Sequence, residues 1–253
     1  MTATTQRFYD ELAPYYHLIF RDWKQTVVRQ GQALDDLVRL RKVPRPRSVL
    51  DCSCGIGTQA IGLALRGYDV HGTDLSPQAV ERARREAAGF GVSVTFEVAD
   101  FRALDVQVSG TFDLVISCDN ALPHCLTRDD LLLATENMRA KLKSGGLLLV
   151  SIRDYDRLLH ERPRATMPDV HDNGKRVVFQ IWNWQTDGLT YGVDYFILRD
   201  HAGQWETFHQ TMAFRALPKG ELIDVLGVVG FSDIRWHTPE ETGYFQPIVT
   251  ASG

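Results

Sequence analysis

The stretch Arg47-Ser48-Val49-Leu50-Asp51-Cys52-Ser53-Cys54-Gly55-Ile56-Gly57-Thr58-Gln59 leaves this chain few ways to fold. Val49 and Leu50 open a short apolar strand, Asp51 closes it, and a small-residue turn with two glycines leads into Gln59 to Leu65, whose apolar spacing is helical. Glycine suits such a turn because the backbone must bend sharply and a ligand can then meet the main chain with no Cβ in the way. The helix that follows aims its free N–H groups at whatever sits on the turn. Gly55 and Gly57 alone fall short of the full dinucleotide fingerprint, and a tight structural turn has much the same composition.

Three later segments raise that signal. Tyr68 to Asp74 reads as a second strand, ending in an acid 17 positions after Gly57 (74 − 57), about where nucleoside-binding α/β units place a carboxylate for ribose hydroxyls. Ser93 to Val98 reads as a third strand followed by Asp100 and Phe101, an acid and an aromatic suited to the edge and face of a purine. Phe112 to Ser117 reads as a fourth, followed by Cys118-Asp119-Asn120. Each strand is apolar in its body and polar at its carboxyl end, the edge at which open α/β sheets bind ligands.

On these residues the sequence resembles the class I S-adenosylmethionine-dependent methyltransferases over residues 48 to 156. Ser53 departs from the glycine common at that place. The resemblance implies S-adenosyl-L-methionine as cofactor, with Asp51, Ser53, Gly55, Gly57, Thr58 and Gln59 forming the turn beneath it. By the same likeness Asp74 with Leu75 would hold the ribose, Asp100 with Phe101 the adenine, and Cys118 with Asp119 would lie alongside. Asp119 to His124 and Ile152 to Asp156 are similar to the glycine/sarcosine N-methyltransferase branch, although Asp154 replaces an asparagine found there. That narrower likeness implies Asn120, His124, Arg153 and Tyr155 as catalytic residues. His124 would be a candidate base, Arg153 a carboxylate fork, and Asn120 an acceptor for the amine.

The segment 6 to 41 reads as two helices, the first with Phe8, Leu12, Tyr15, Tyr16, Ile19 and Phe20 on one face, the second capped by Asp22. Such a segment closes over the cofactor in the resembled family, which makes Tyr9, Tyr16 and Trp23 lid candidates. Packing of these aromatics as plain core is an equally good reading for each. Further on, Ser76 and Pro77 start a helix to about Ala88, and Arg128 to Leu142 reads as another after Thr127. Leu147 to Ile152 is a fifth strand buried on both faces. The pattern then changes to consecutive strands, Arg176 to Trp184, Leu189 to Arg199 and Trp205 to Arg215, a three-stranded antiparallel insertion over the substrate pocket. A helix from Pro218 to about Val228 and two strands, Ser232 to His237 and Gly243 to Ala251, complete seven sheet strands. The expected fold is therefore α/β, a seven-stranded Rossmann-like methyltransferase sheet with helices on both faces, an N-terminal helical lid and a small antiparallel β insertion. Its units are a lid at 1–45, a cofactor-binding core at 46–156, the insertion at 157–215 and the end of the core at 216–253.

Composition narrows the partners. At 253 residues and 44% apolar the chain suits one α/β domain with an insertion, and a formal charge of −4 gives no overall attraction to nucleic acid or anionic membrane. No apolar run is long enough for a bilayer, so a cytoplasmic protein acting on a small molecule is expected. Cys52, Cys54, Cys118 and Cys125 lie on neighbouring strand ends but lack the C-x2-C clip of structural zinc modules, and reduced buried thiols with no metal are expected. The leading function is methyl transfer to the amine of a glycine- or sarcosine-like amino acid. An O-methyltransferase and a nicotinamide-dependent oxidoreductase are the alternatives, and oligomeric state is left open.

Overall fold

The computed structural model describes residues 3–43 and 46–253. A helix α1 (Ala3–Leu12) leads through a 3-10 turn at Tyr16–Ile19 to α2 (Trp23–Leu40). There follow β1 (Ser48–Asp51), α3 (Thr58–Ala64), β2 (Asp69–Asp74), α4 (Pro77–Gly89), β3 (Thr95–Val98), a short α5 (Leu104–Gln107) and β4 (Phe112–Ser117). The second half runs α6 (Arg128–Ala140), β5 (Leu142–Ser151), α7 (Tyr155–Glu161), β6 (Asp169–His171), β7 (Arg176–Trp184), β8 (Thr190–His201), β9 (Gln204–Arg215), α8 (Lys219–Val229), β10 (Ser232–His237), α9 (Pro239–Thr242) and β11 (Ile248–Ser252).

Seven strands form the main sheet in the order β10-β11-β5-β4-β1-β2-β3, with β11 antiparallel to both of its neighbours and β1 to β5 mutually parallel. The chain builds outward from β1 on one side and returns through β4 on the other. The crevice at the carboxyl ends of β1 and β4 is therefore the topological switch point where such sheets bind ligands. Leu50, Leu114, Val115, Leu148 and Leu149 are fully buried, as strands covered on both faces require.

Local chemistry sets the helix ends that frame this crevice. The Asp22 carboxylate accepts from Gln25 N at 3.0 Å, Ser76 Oγ from Ala79 N at 3.0 Å and Thr127 Oγ1 from Asp130 N at 3.1 Å. Helix α2 lies directly against α3, and a Cβ added at Gly31 would stand 2.4 Å from the carbonyl carbon of Gly62, so only glycine permits this backbone contact. The contact holds the N-terminal segment against the helix that follows the glycine turn.

Four boundaries differ from expectation. The N-terminal aromatics do not share one helix face: Pro14 has no N–H to continue α1, Tyr15 N closes a turn on Leu12 O at 2.8 Å, and Tyr16 starts a separate 3-10 turn. The insertion has four strands, order β6-β7-β8-β9, because Asp169–His171 pairs with β7. Helix α6 stops at Ala140, and β5 takes in Lys143 to Gly146 with an irregular register against β4. Pro239–Thr242 is a helical turn, so β11 begins only at Ile248. The lid boundary at 45/46 adjoins Pro44 and Arg45, which with Met1 and Thr2 lie outside the described residues.

Candidate active site

Two adjoining cavities open at the switch point. The first, about 550 Å³, is lined at its floor by Cys52 to Gly55 with Thr58 and Gln59, at one side by Asp74, Leu75 and Phe101, and at the other by Cys118, Asp119, Ala121 and His124. Thr5, Tyr9 and Tyr16 form its roof. Gly55 sits at φ 53° with nothing within 4 Å of where a Cβ would stand, so its main chain is open to the cavity. Gly57 at φ 93° turns the chain into α3. The Asp74 carboxylate accepts from Gly55 N and Ser76 N, each at 2.9 Å, which locks it at the end of β2 while its remaining lone pairs stay available. Burial raises this carboxyl above the usual range, against the lowering effect of those two N–H groups.

The second cavity, about 880 Å³, shares Tyr9, Tyr16 and Asp119 with the first. Asp119 and Asn120 both adopt positive φ, 57° and 66°, and this double left-handed step after β4 turns them toward the crevice. Ser151 holds the step, its Oγ accepting from Asp119 N at 2.7 Å and its carbonyl from Asn120 N at 3.1 Å. Asp119 Oδ2 accepts from the Tyr16 hydroxyl at 3.1 Å. Asn120 Oδ1 accepts from Arg153 N at 3.1 Å and from Tyr155 Oη at 3.0 Å, whereas its buried Nδ2 has no partner among the described residues.

Arg153 lines this second cavity. Its guanidinium donates to Tyr191 Oη at 3.1 Å and Gln180 Oε1 at 3.2 Å, and lies 4.9 Å from the Trp182 ring centroid and 5.5 Å from that of Phe214. Among the described residues it forms no ion pair, although Asp119 adds to the charge that favours it. His124 is 5% exposed. Its Nε2 meets the Tyr9 hydroxyl at 2.7 Å and its ring packs 4.5 Å from Phe214. Burial first, and Arg153 second, push its pKa down to about 3, so the ring is neutral near pH 7 and a weak proton acceptor. Tyr9, pushed up by burial, stays a phenol.

Of the expected cofactor residues, Tyr9, Tyr16, Ser53, Gly55, Thr58, Gln59, Asp74, Leu75, Phe101, Cys118 and Asp119 line the first cavity. Trp23 does not: its indole N–H donates to Thr58 Oγ1 at 3.0 Å and its ring packs on Phe90, which supports the turn from behind. Asp100 does not line that cavity either: Arg102, two residues on, takes its carboxylate at 2.8 Å. Asp51 is buried beneath the turn, accepting from Ser53 N at 3.3 Å, and burial pushes its pKa up to about 7. Gly57 shapes the turn without lining either cavity. Asn120 and Arg153 line the second cavity, but Tyr155 stands behind them, bonded to Asn120 and to Tyr191 at 2.8 Å. Asn120 does not present the expected acceptor, since Arg153 and Tyr155 occupy its oxygen and the unpaired donor remains.

Gln180 and Gln246 were not expected near the chemistry, and the two glutamines carry no local signal. Tyr191 was legible as one of the insertion aromatics that line the roof of the pocket or pack it on the core. The four cysteines are buried and unpaired, three of them on the first cavity. No group of three or more metal-binding side chains occurs among the described residues, and no helix among them is long and apolar enough to cross a membrane.

Comparison with known proteins agrees with this geometry. A methyltransferase domain family matches residues 49–146. A glycine/sarcosine N-methyltransferase of Parasynechococcus marenigrum is 36% identical over 138 residues, 54% of this chain and 48% of that protein. The glycine N-methyltransferase of Homo sapiens is 34% identical over 163 residues, 59% of this chain and 54% of that protein. The chain thus spans about half the length of these curated relatives. Among solved structures, a sugar N-methyltransferase from Streptoalloteichus superposes with TM-score 0.74 at 20% identity, covering 94% of this chain and 92% of that one. An S-adenosylmethionine-bound amino pentose methyltransferase from Micromonospora echinaspora gives 0.68 at 21%, covering 88% and 91%. Residues 49–146 thus match a methyltransferase domain family, and the chain shares the Rossmann-like fold of solved S-adenosylmethionine-dependent methyltransferases.

Proposed function

We propose that this chain methylates the nitrogen of a small amino acid, the class to which glycine and sarcosine belong, with S-adenosylmethionine as donor. The observation that carries the reading is Arg153, a guanidinium facing the second cavity with no carboxylate paired to it among the described residues, beside the unpartnered Nδ2 of Asn120. A substrate carboxylate satisfies both, taking the planar fork bidentately and the amide N–H as a further donor. A neutral amino sugar, the kind of acceptor named for two fold neighbours, would leave both unmet. The relatives named for glycine and sarcosine N-methylation support the amino acid.

The first cavity suits a nucleoside cofactor on its own chemistry: a carboxylate at the end of β2, an aromatic wall at Phe101 and open main chain at Gly55. Bound there, S-adenosylmethionine supplies a methyl group on a positively charged sulfur. Because such a transfer moves positive charge and creates no anion, the protein's task is alignment and exclusion of water, worth on the order of 7 to 11 kcal/mol when the reacting atoms are held near attack. Tyr9, Tyr16 and Asp119, common to both cavities, form the wall across which the two ligands meet. Asp119 Oδ1, which accepts no bond among the described residues, receives the amine N–H and takes up its proton as the N–C bond forms. His124 holds Tyr9 in place and does not serve as the base.

The test is calorimetric titration in the presence of S-adenosylhomocysteine. Glycine and sarcosine bind, and glycinamide and ethanolamine, which lack the carboxylate, bind at least tenfold more weakly. Equal affinities would remove Arg153 from substrate recognition and the amino-acid reading with it.

A further inference from the structure

The second cavity joins a charged end to a broad apolar lining. Asp119, Asn120 and Arg153 follow the core strands β4 and β5, and Gln180, Tyr195 and Gln246 add polar atoms from the insertion and the loop before β11. Leu12, Ile19 and Phe20 from the N-terminal segment, Val193 and Phe214 from the insertion, and Phe245 supply the apolar lining. Ile19 and Phe20 are only half-buried, and Phe245 remains 51% exposed although its ring packs, tilted, on buried Tyr244 at 4.8 Å. These three bring large, incompletely buried apolar side chains to the lining of the cleft. A glycine or sarcosine molecule engages the polar end and leaves those apolar side chains against water.

We infer that the acceptor is an amino acid with an apolar side group, a branched aliphatic or aromatic substituent that lies against the wall formed by Ile19, Phe20, Val193, Phe214 and Phe245. The inference rests on the amino-acid reading above and narrows it. The carboxylate sits on Arg153 and Asn120, the nitrogen faces Asp119, and the substituent points away from the core strands toward the N-terminal segment. Covering the wall removes apolar surface from water both on the ligand and on the protein, so affinity rises with the size of the substituent.

Glycine, alanine, leucine and phenylalanine are titrated into the protein saturated with S-adenosylhomocysteine. Leucine or phenylalanine binds at least tenfold more tightly than glycine, with alanine between. Ile19→Ala and Phe245→Ala each lower the ratio of leucine to glycine affinity several-fold, with S-adenosylhomocysteine binding reporting that the variants are folded. Glycine binding as tightly as leucine would overturn the inference and leave the proposed function standing. Binding of S-adenosylhomocysteine with none of the four amino acids would overturn both.

Discussion

Arg176 ties the roof of both cavities to the insertion. Its side chain is 5% exposed and donates to the carbonyls of Leu18, Phe20 and Arg21 at 2.5, 3.1 and 3.4 Å, with its Nε on Asp172 Oδ2 at 2.9 Å. The carbonyls belong to the segment that carries Tyr16 over the first cavity and Ile19 over the second. Hydrogen bonds from a charged donor contribute about 1.5 to 3 kcal/mol each, but the freed carbonyls recover part of that from water, and the 3.4 Å contact is weak. Arg176→Ala should therefore loosen docking of this segment by about 2 to 4 kcal/mol, which multiplies the open fraction by about 30 or more. Amide hydrogen exchange over residues 16–22 accelerates accordingly, and S-adenosylmethionine dissociates faster in stopped-flow mixing, while the melting of the main sheet changes little. Arg176→Lys, which keeps the charge and loses the fork, falls between. Unchanged exchange over 16–22 in a folded Arg176→Ala protein would refute the latch.

Asp74→Ala should weaken S-adenosylmethionine binding by about 2 to 4 kcal/mol, through loss of charge-assisted bonds to the ribose and of the anchor for Gly55 N; calorimetry showing parental affinity would remove Asp74 from the cofactor site. The folded pKa of His124, about 3, lies below its unfolded value near 6.5, so the native state binds fewer protons between these pH values. Its contribution to stability is full above pH 6.5 and is lost by up to about 1.4 kcal/mol per unit as pH falls, and His124→Gln should flatten that limb of a denaturation series. Asp51 has the opposite sign: a folded pKa of about 7 against about 3.8 unfolded means that stability declines as pH rises across that window. Asp51→Asn, which still accepts from Ser53 N, should abolish the decline; persistence of the slope would place its origin elsewhere.

The centre of the main sheet was legible because β1, β4 and the second half of β5 are largely apolar runs ending in acids or small residues, a pattern set by burial on both faces and by the ligand edge. The caps at Asp22, Ser76 and Thr127 were legible for a local reason, a short side chain that reaches an N–H three residues on. Pro14 was the overlooked breaker inside an otherwise helical aromatic pattern, and β6 is too short at three residues to show alternation. Asp100 matched by position, but position does not reveal that a neighbouring arginine captures the carboxylate. The partners of Arg153 come from β7 and β8, distant in sequence and brought over the crevice only by the folding of the insertion, so Gln180 carried no signal. The orientation of Asn120 was equally hidden, since its oxygen is taken by Arg153 N and Tyr155, which are far along the chain.

The adjoining cavities, with Asp119 and the two lid tyrosines between them, make one direct claim: a methyl group leaves the first and arrives on a nitrogen in the second. Incubation with methyl-labelled S-adenosylmethionine and a panel of amino acids, amino alcohols and hydroxy acids, followed by product fragmentation in the mass spectrometer, locates the label. The account predicts label on the nitrogen of carboxylate-bearing acceptors only. Label on oxygen, or equal transfer to amines without a carboxylate, would contradict it.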